Sequence, residues 1–156
     1  MVRLWQKPLL KPIDVFTKEE LDGIKKATEE AELLTSGEIK VAIRSDCRQG
    51  LSAKEQALED FYRLGLDKTR DKTGVLILIV LHQRAAEVLA DKGINDKVPD
   101  GYWNETVETI ASGFREGKAY EGVREAVVKI GQLLEKNFPR KPEDVDEVSG
   151  EVSLGE

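Results

Sequence analysis

The sequence predicts an α/β fold: a three-layer α/β/α sandwich in which a small mixed β-sheet is flanked by about four helices. Three observations carry this reading. Residues 75–81 are seven consecutive apolar residues behind Gly74, the pattern of a strand buried on both faces. Residues 38–45 alternate through Ile39, Val41 and Ile43, the period of a strand. Elsewhere apolar residues recur at helical spacing, twice directly behind a helix-start signal.

In chain order, residues 1–16 form an N-terminal extension. Lys7, Pro8, Lys11 and Pro12 break it too often for a signal-peptide core. Thr17-Lys18-Glu19-Glu20 is a capping box that opens the first helix. Leu21, Ile24, Thr28 and Ala31 stripe one side of it, and Gly37 is expected to end it in a left-handed conformation. The first strand follows. Ser52-Ala53-Lys54-Glu55 is a second capping box, and its helix presents Ala57, Leu58, Phe61, Tyr62 and Gly65 on one face.

The buried strand then completes a βαβ unit, expected to be parallel and right-handed. His82-Gln83-Arg84 is short enough for a hairpin, which returns Ala86 to Ala90 antiparallel beside the central strand. After an acidic loop come two helices. Trp103, Val107, Ile110, Ala111 and Phe114 stripe one; Val123, Val127, Ile130, Leu134 and Phe138 stripe the other; Gly117 breaks them apart. From Pro139 the periodicity stops, so the chain divides into one domain over residues 17–138 and a disordered acidic tail over 139–156.

Composition narrows the function. A net charge of −6 argues against nonspecific nucleic-acid binding, which needs a basic face. No apolar run approaches the roughly 20 residues of a membrane span, so a soluble, cytoplasmic chain is expected. The sequence does not fix the oligomeric state, for which a monomer is the default expectation, or the identity of a protein partner. One Cys and one His cannot supply an ordinary zinc ligand set. Residues 113–119 mimic a phosphate-binding loop but have too few intervening residues and end in Ala119, where a hydroxyl must reach magnesium. Cys47 and His82 end successive strands and are expected at one sheet edge; a nucleophilic pair is one reading, a half-buried Cys beside a loop His the plainer one.

The remaining constellation is a set of oxygen donors expected at one end of the sheet. Asp46 follows the first strand; Asp91, Asn95, Asp96 and Asp100 occupy the loop after the third. Calcium or magnesium takes such ligands. The loop is not an EF-hand, because Gly93, Asp96 and Tyr102 stand where a ligand, the turn glycine and the bidentate Glu belong. The plainer reading is that Asp100 caps the next helix and the other acids are solvated.

Ser36-Gly37-Glu38-Ile39-Lys40-Val41, Thr73-Gly74-Val75-Leu76-Ile77, Arg84, Gly93, Val98-Pro99-Asp100 and residues 117–123, in this order and spacing, resemble the TPM domain family over residues 17–138. That resemblance implies a small central sheet flanked by helices and a divalent-metal site, commonly for calcium, near the sheet's end. It also implies a weak acid phosphatase activity for some members, and a role in assembly or repair of membrane complexes for others. Gln83 stands where many members have Asp, Asn95 where many have Glu, and Asp91 where many have Gly. The chain looks like the soluble branch, without signal peptide or transmembrane helix.

Three functions are compatible with this. One is a non-catalytic module that holds a divalent cation or a protein partner. Another is a metal-assisted phosphomonoester hydrolase, in which Arg84 or Arg44, with Gln83, holds the phosphate. The third is a purely structural interaction domain. Trp5, in the N-terminal extension, is a candidate partner anchor.

Overall fold

The structure is a computed structural model that describes residues 10–141 and 152–155. Trp5, most of the N-terminal extension and residues 142–151 of the acidic tail lie outside the described residues.

A one-turn helix, α1 (Pro12–Val15), leads into α2 (Lys18–Glu32). The capping box forms as expected: Glu20 N–H donates to Thr17 Oγ1 at 3.0 Å, and Thr17 N–H donates to Glu20 Oε1 at 2.9 Å. Strand β1 (Glu38–Arg44), helix α3 (Ala53–Arg63) with a short 3-10 turn, and strand β2 (Gly74–Val80) make the parallel βαβ unit. Strand β3 (Ala85–Ala90) returns antiparallel to β2. One turn of helix α4 (Lys92–Asn95) precedes α5 (Trp103–Arg115) and α6 (Ala119–Asn137). A short strand β4 (Ser153–Gly155) pairs parallel with β1, where the tail was expected to be disordered. The sheet order is β3-β2-β1-β4.

The three layers follow from the period-two alternation of the central strands. Ile39, Val41 and Ile43 of β1, with Val75, Ile77 and Ile79 of β2, pack against α2, α5 and α6. Ala42, Leu76, Leu78 and Val80 face Ala57 and Phe61 of α3 on the other side. Because helices cover both faces, all seven residues of each strand are buried.

Two details differ from the sequence reading. Gly37 is not left-handed; a β-carbon there would press on Leu134 and the Thr73 carbonyl, so a small residue is required by packing. Leu58 and Tyr62 point to solvent, at 50% and 58% exposure. α3 turns Gln56, Ala57, Asp60 and Phe61 inward instead, because β1 presents Arg44 on that face and the helix supplies its counter-charge.

Among the described residues no helix is long and apolar enough to cross a membrane.

Candidate functional site at the carboxyl end of the central strands

The β2–β3 hairpin builds one rim of the site. Parallel pairing runs one step past the strands: Leu81 N–H donates to Arg44 O at 2.9 Å and His82 N–H to Ser45 O at 2.8 Å. The chain then reverses through a turn closed by Arg84 N–H donating to Leu81 O at 3.2 Å. Arg84 sits there at φ +50°, in the left-handed region that Gly or Asn normally fills. Its side chain is exposed, and its guanidinium has no hydrogen bond or ion pair among the described residues.

Asp46 and Gln83 meet at this rim, as Gln83 Nε2 donates to Asp46 Oδ1 at 3.2 Å. The same carboxylate oxygen accepts Cys47 N–H at 2.8 Å. Cys47 is close by, and His82 is exposed on the turn. Burial, followed by the nearby Asp46 charge, pushes the Cys47 thiol above its ordinary value. That is the reverse of what an activated nucleophile needs.

A pocket of about 320 Å³ opens beside the turn. Ile79 and Ala86 line it from the sheet, Ile110 and Phe114 from α5, and Val15 from α1. An edge-on contact with Phe16, at 6.0 Å between ring centres, fixes the Phe114 ring. Ten of the twelve lining residues are apolar, and the other two are Arg84 and Arg115, so all its charge is positive. Arg115 already pairs with Glu108. Arg84 is therefore the cation at the pocket without an ion-pair partner among the described residues.

Arg44 does not belong to this site. Its Nε and Nη2 donate to Asp60 Oδ2 and Oδ1 at 2.8 and 3.1 Å, beneath α3. Gln56 Nε2 and Arg63 Nε also reach Asp60 Oδ1, each at 3.2 Å. Asp60 is fully buried. A guanidinium so engaged holds the sandwich together and cannot also clamp a phosphate. Asp60 carries one sequence signal only, the polar pair Gln56 and Asp60, four apart, beside the apolar pair Ala57 and Phe61.

The acidic loop lies elsewhere. Because β3 runs antiparallel to β2, it carries the chain back to the amino end of the central strands. There Asp91 N–H donates to Gly74 O at 2.9 Å. Asp46 and the loop are thus separated by the length of β2, about 20 Å for seven residues. A single cation cannot join them.

Within the loop the donors are already engaged. Asp91 caps α4 through Lys92 N–H at 2.8 Å, and Asp96 pairs with Lys92 Nζ at 3.0 Å. Asn95 donates to Ala90 O at 2.8 Å and accepts Trp103 Nε1–H at 3.0 Å. Asp100 is exposed, and the residue capping α5 is Tyr102, so the expected Asp100 cap does not form. Gly93 is explained by close approach: a β-carbon there would collide with the Asp71 and Lys72 carbonyls. No group of three or more His, Cys, Asp or Glu among the described residues is arranged to hold a metal ion. The donor set does not fit a resident calcium or magnesium.

A family model of the TPM domain matches residues 11–133. The BA42 protein of the psychrophilic bacterium Bizionia argentinensis, solved by NMR, is 33% identical, with a TM-score of 0.81 over 94% of this chain and 99% of that one. The N-terminal domain of a P. gingivalis protein, also solved by NMR, is 18% identical, with a TM-score of 0.65 over 85% of this chain and 96% of that one. The second is a likeness of fold alone. No curated protein matches the chain.

Proposed function

The chain belongs to the TPM domain family, and on that premise we propose that it is a non-catalytic binding module, whose pocket takes an apolar group carrying an adjacent anion. The observation that supports this most is Arg84. A bulky cationic residue is held at positive φ, where Gly costs less, at an apolar pocket and without a partner among the described residues. Strain of this kind is tolerated where the side chain has a task. The pocket's size is at the lower end of small-ligand sites, roughly 300–1,000 Å³, which are mostly apolar with few polar anchors. The pocket lies beside the carboxyl end of one parallel strand, β2, the end at which open α/β sheets commonly place ligands.

The hydrolase reading has less support. Arg44 is locked to Asp60, and the Cys47 thiol is shifted away from reactivity.

The test is a titration of labelled chain with octanoate, followed by backbone amide shifts, with octanol as the uncharged control. Saturable shifts at residues 79–86 and 110–114, weaker with octanol and weaker again in Arg84→Ala, are the expected result. Flat spectra at millimolar octanoate would overturn the proposal. Hydrolysis of p-nitrophenyl phosphate that survives further purification and is lost in Arg84→Ala would replace it with the hydrolase reading.

A further inference from the structure

The outer edge of β1, on the far side of the sheet from β3, is a second surface with its own logic. Ile39 N–H donates to Glu32 Oε1 at 3.0 Å, and Ser45 N–H donates to Gly155 O at 3.0 Å. Backbone groups of alternate residues face the same neighbour, so residues 39, 41, 43 and 45 all turn their N–H groups to this edge. An open strand edge is a template for another chain. Here the amino half is closed by a buried carboxylate and the carboxyl half by three residues, Ser153–Gly155.

The resident strand is short and specifically seated. Its Leu154 side chain is 56% exposed, and its apolar anchorage is Val152, just before the strand, packed partly buried against the main core. Arg63 Nη2 donates to Ser153 Oγ at 3.2 Å. Gly155 lies against Arg44, where a β-carbon would come within 3.0 Å of Cγ and 3.2 Å of Cζ. Arg44 cannot swing aside, because Asp60 holds its guanidinium by two hydrogen bonds. The seat therefore reads a small hydroxyl residue, then an outward apolar residue, then glycine.

We propose that the Ala42–Ser45 edge of β1 is a strand-docking site. It accepts an extended protein segment presented in trans with the order small hydroxyl residue, apolar residue, glycine, and residues 153–155 are its exchangeable resident. Main-chain hydrogen bonds supply the affinity and the Arg63 and Arg44 contacts the selectivity, as in other cases of strand addition.

The test uses full-length chains carrying Gly155→Val or Ser153→Pro, each of which should unseat the resident strand. Hydrogen exchange at Ile43 and Ser45 is then measured against Ile77 as a core reference. Both variants should speed exchange at Ile43 and Ser45 by on the order of five- to tenfold, the factor for one net hydrogen bond, and leave Ile77 unchanged. A synthetic peptide with the sequence of residues 152–156, added to several times the roughly millimolar effective concentration of a tethered segment, should restore protection. The same peptide with Val in place of Gly should not. Unchanged protection in both variants, no rescue by the native peptide, or equal rescue by the Val peptide would each overturn the proposal.

Discussion

Replacing Arg84 with Gly separates what the residue does for folding from what it does for binding. Its φ of +50° is adopted by a side chain with no partner among the described residues. A left-handed conformation costs a non-glycine residue roughly 1–2 kcal/mol. Glycine relieves that strain and loses roughly 0.5–1 kcal/mol through the freedom it gains in the unfolded chain. The balance is a gain of about 0.5–1 kcal/mol. At about 2–4 °C per kcal/mol for a chain of this size, the melting temperature should rise by about 1–4 °C. Thermal and urea unfolding of Arg84→Gly beside the parent chain measure this, and Arg84→Ala serves as a variant that lacks the charge but keeps most of the strain. Arg84→Gly should be the more stable of the two, and both should lose octanoate binding. A fall in stability for Arg84→Gly would refute the reasoning, because it would mean the guanidinium makes contacts worth more than the strain.

Three further outcomes are expected. Asp60→Ala leaves Arg44 without its carboxylate in the interior and should cost about 3–5 kcal/mol in urea unfolding; a loss below about 1 kcal/mol would reduce the cluster to the level of a surface ion pair. The raised Cys47 pKa means the reactive thiolate appears only at higher pH than in a free thiol. Iodoacetamide alkylation, followed by mass across pH 7 to 10 (about the range where thiols titrate), should therefore lag free cysteine, and matching or faster alkylation would contradict the burial argument. Calcium or magnesium added to chelator-treated chain should give no saturable amide shifts over residues 91–100 below roughly millimolar metal, the weak limit of ordinary calcium sites; tight, saturable shifts there would show that the loop rearranges into a cation site.

Much of the fold was legible because its signals are local. Both capping boxes form as the residues at Thr17 and Ser52 require. The apolar run ends in a hairpin because only three residues separate it from the next apolar segment. Family membership was legible too, through motifs whose order spans most of the chain.

The site was legible only in part, for a topological reason. An antiparallel β3 reverses the chain, so whatever follows it must lie at the amino end of the sheet, away from Asp46. Grouping Asp46 with Asp91, Asn95, Asp96 and Asp100 overlooked that reversal. Arg44 looked like a free cation because its counter-charge is sixteen residues away on a helix, and no periodicity of apolar residues announces a buried Asp60. Strand β4 left no trace, since three residues are too few to show an alternation, and its backbone pairing with β1 is supplemented by one side-chain hydrogen bond from a distant residue, Arg63. The pocket was invisible because Val15, Ile79, Ala86 and Phe114 converge only when α1, the hairpin and α5 are packed together.

The measurement that bears most directly on the binding-module reading is an isotope-filtered NOE experiment on the labelled chain with saturating octanoate. Contacts are expected from the octanoate methyl end to Ile110 and Phe114, and from the carbons beside the carboxylate to Ala85 and the Arg84 side chain. Contacts spread over other surfaces, or a carboxylate end remote from Arg84, would contradict that reading.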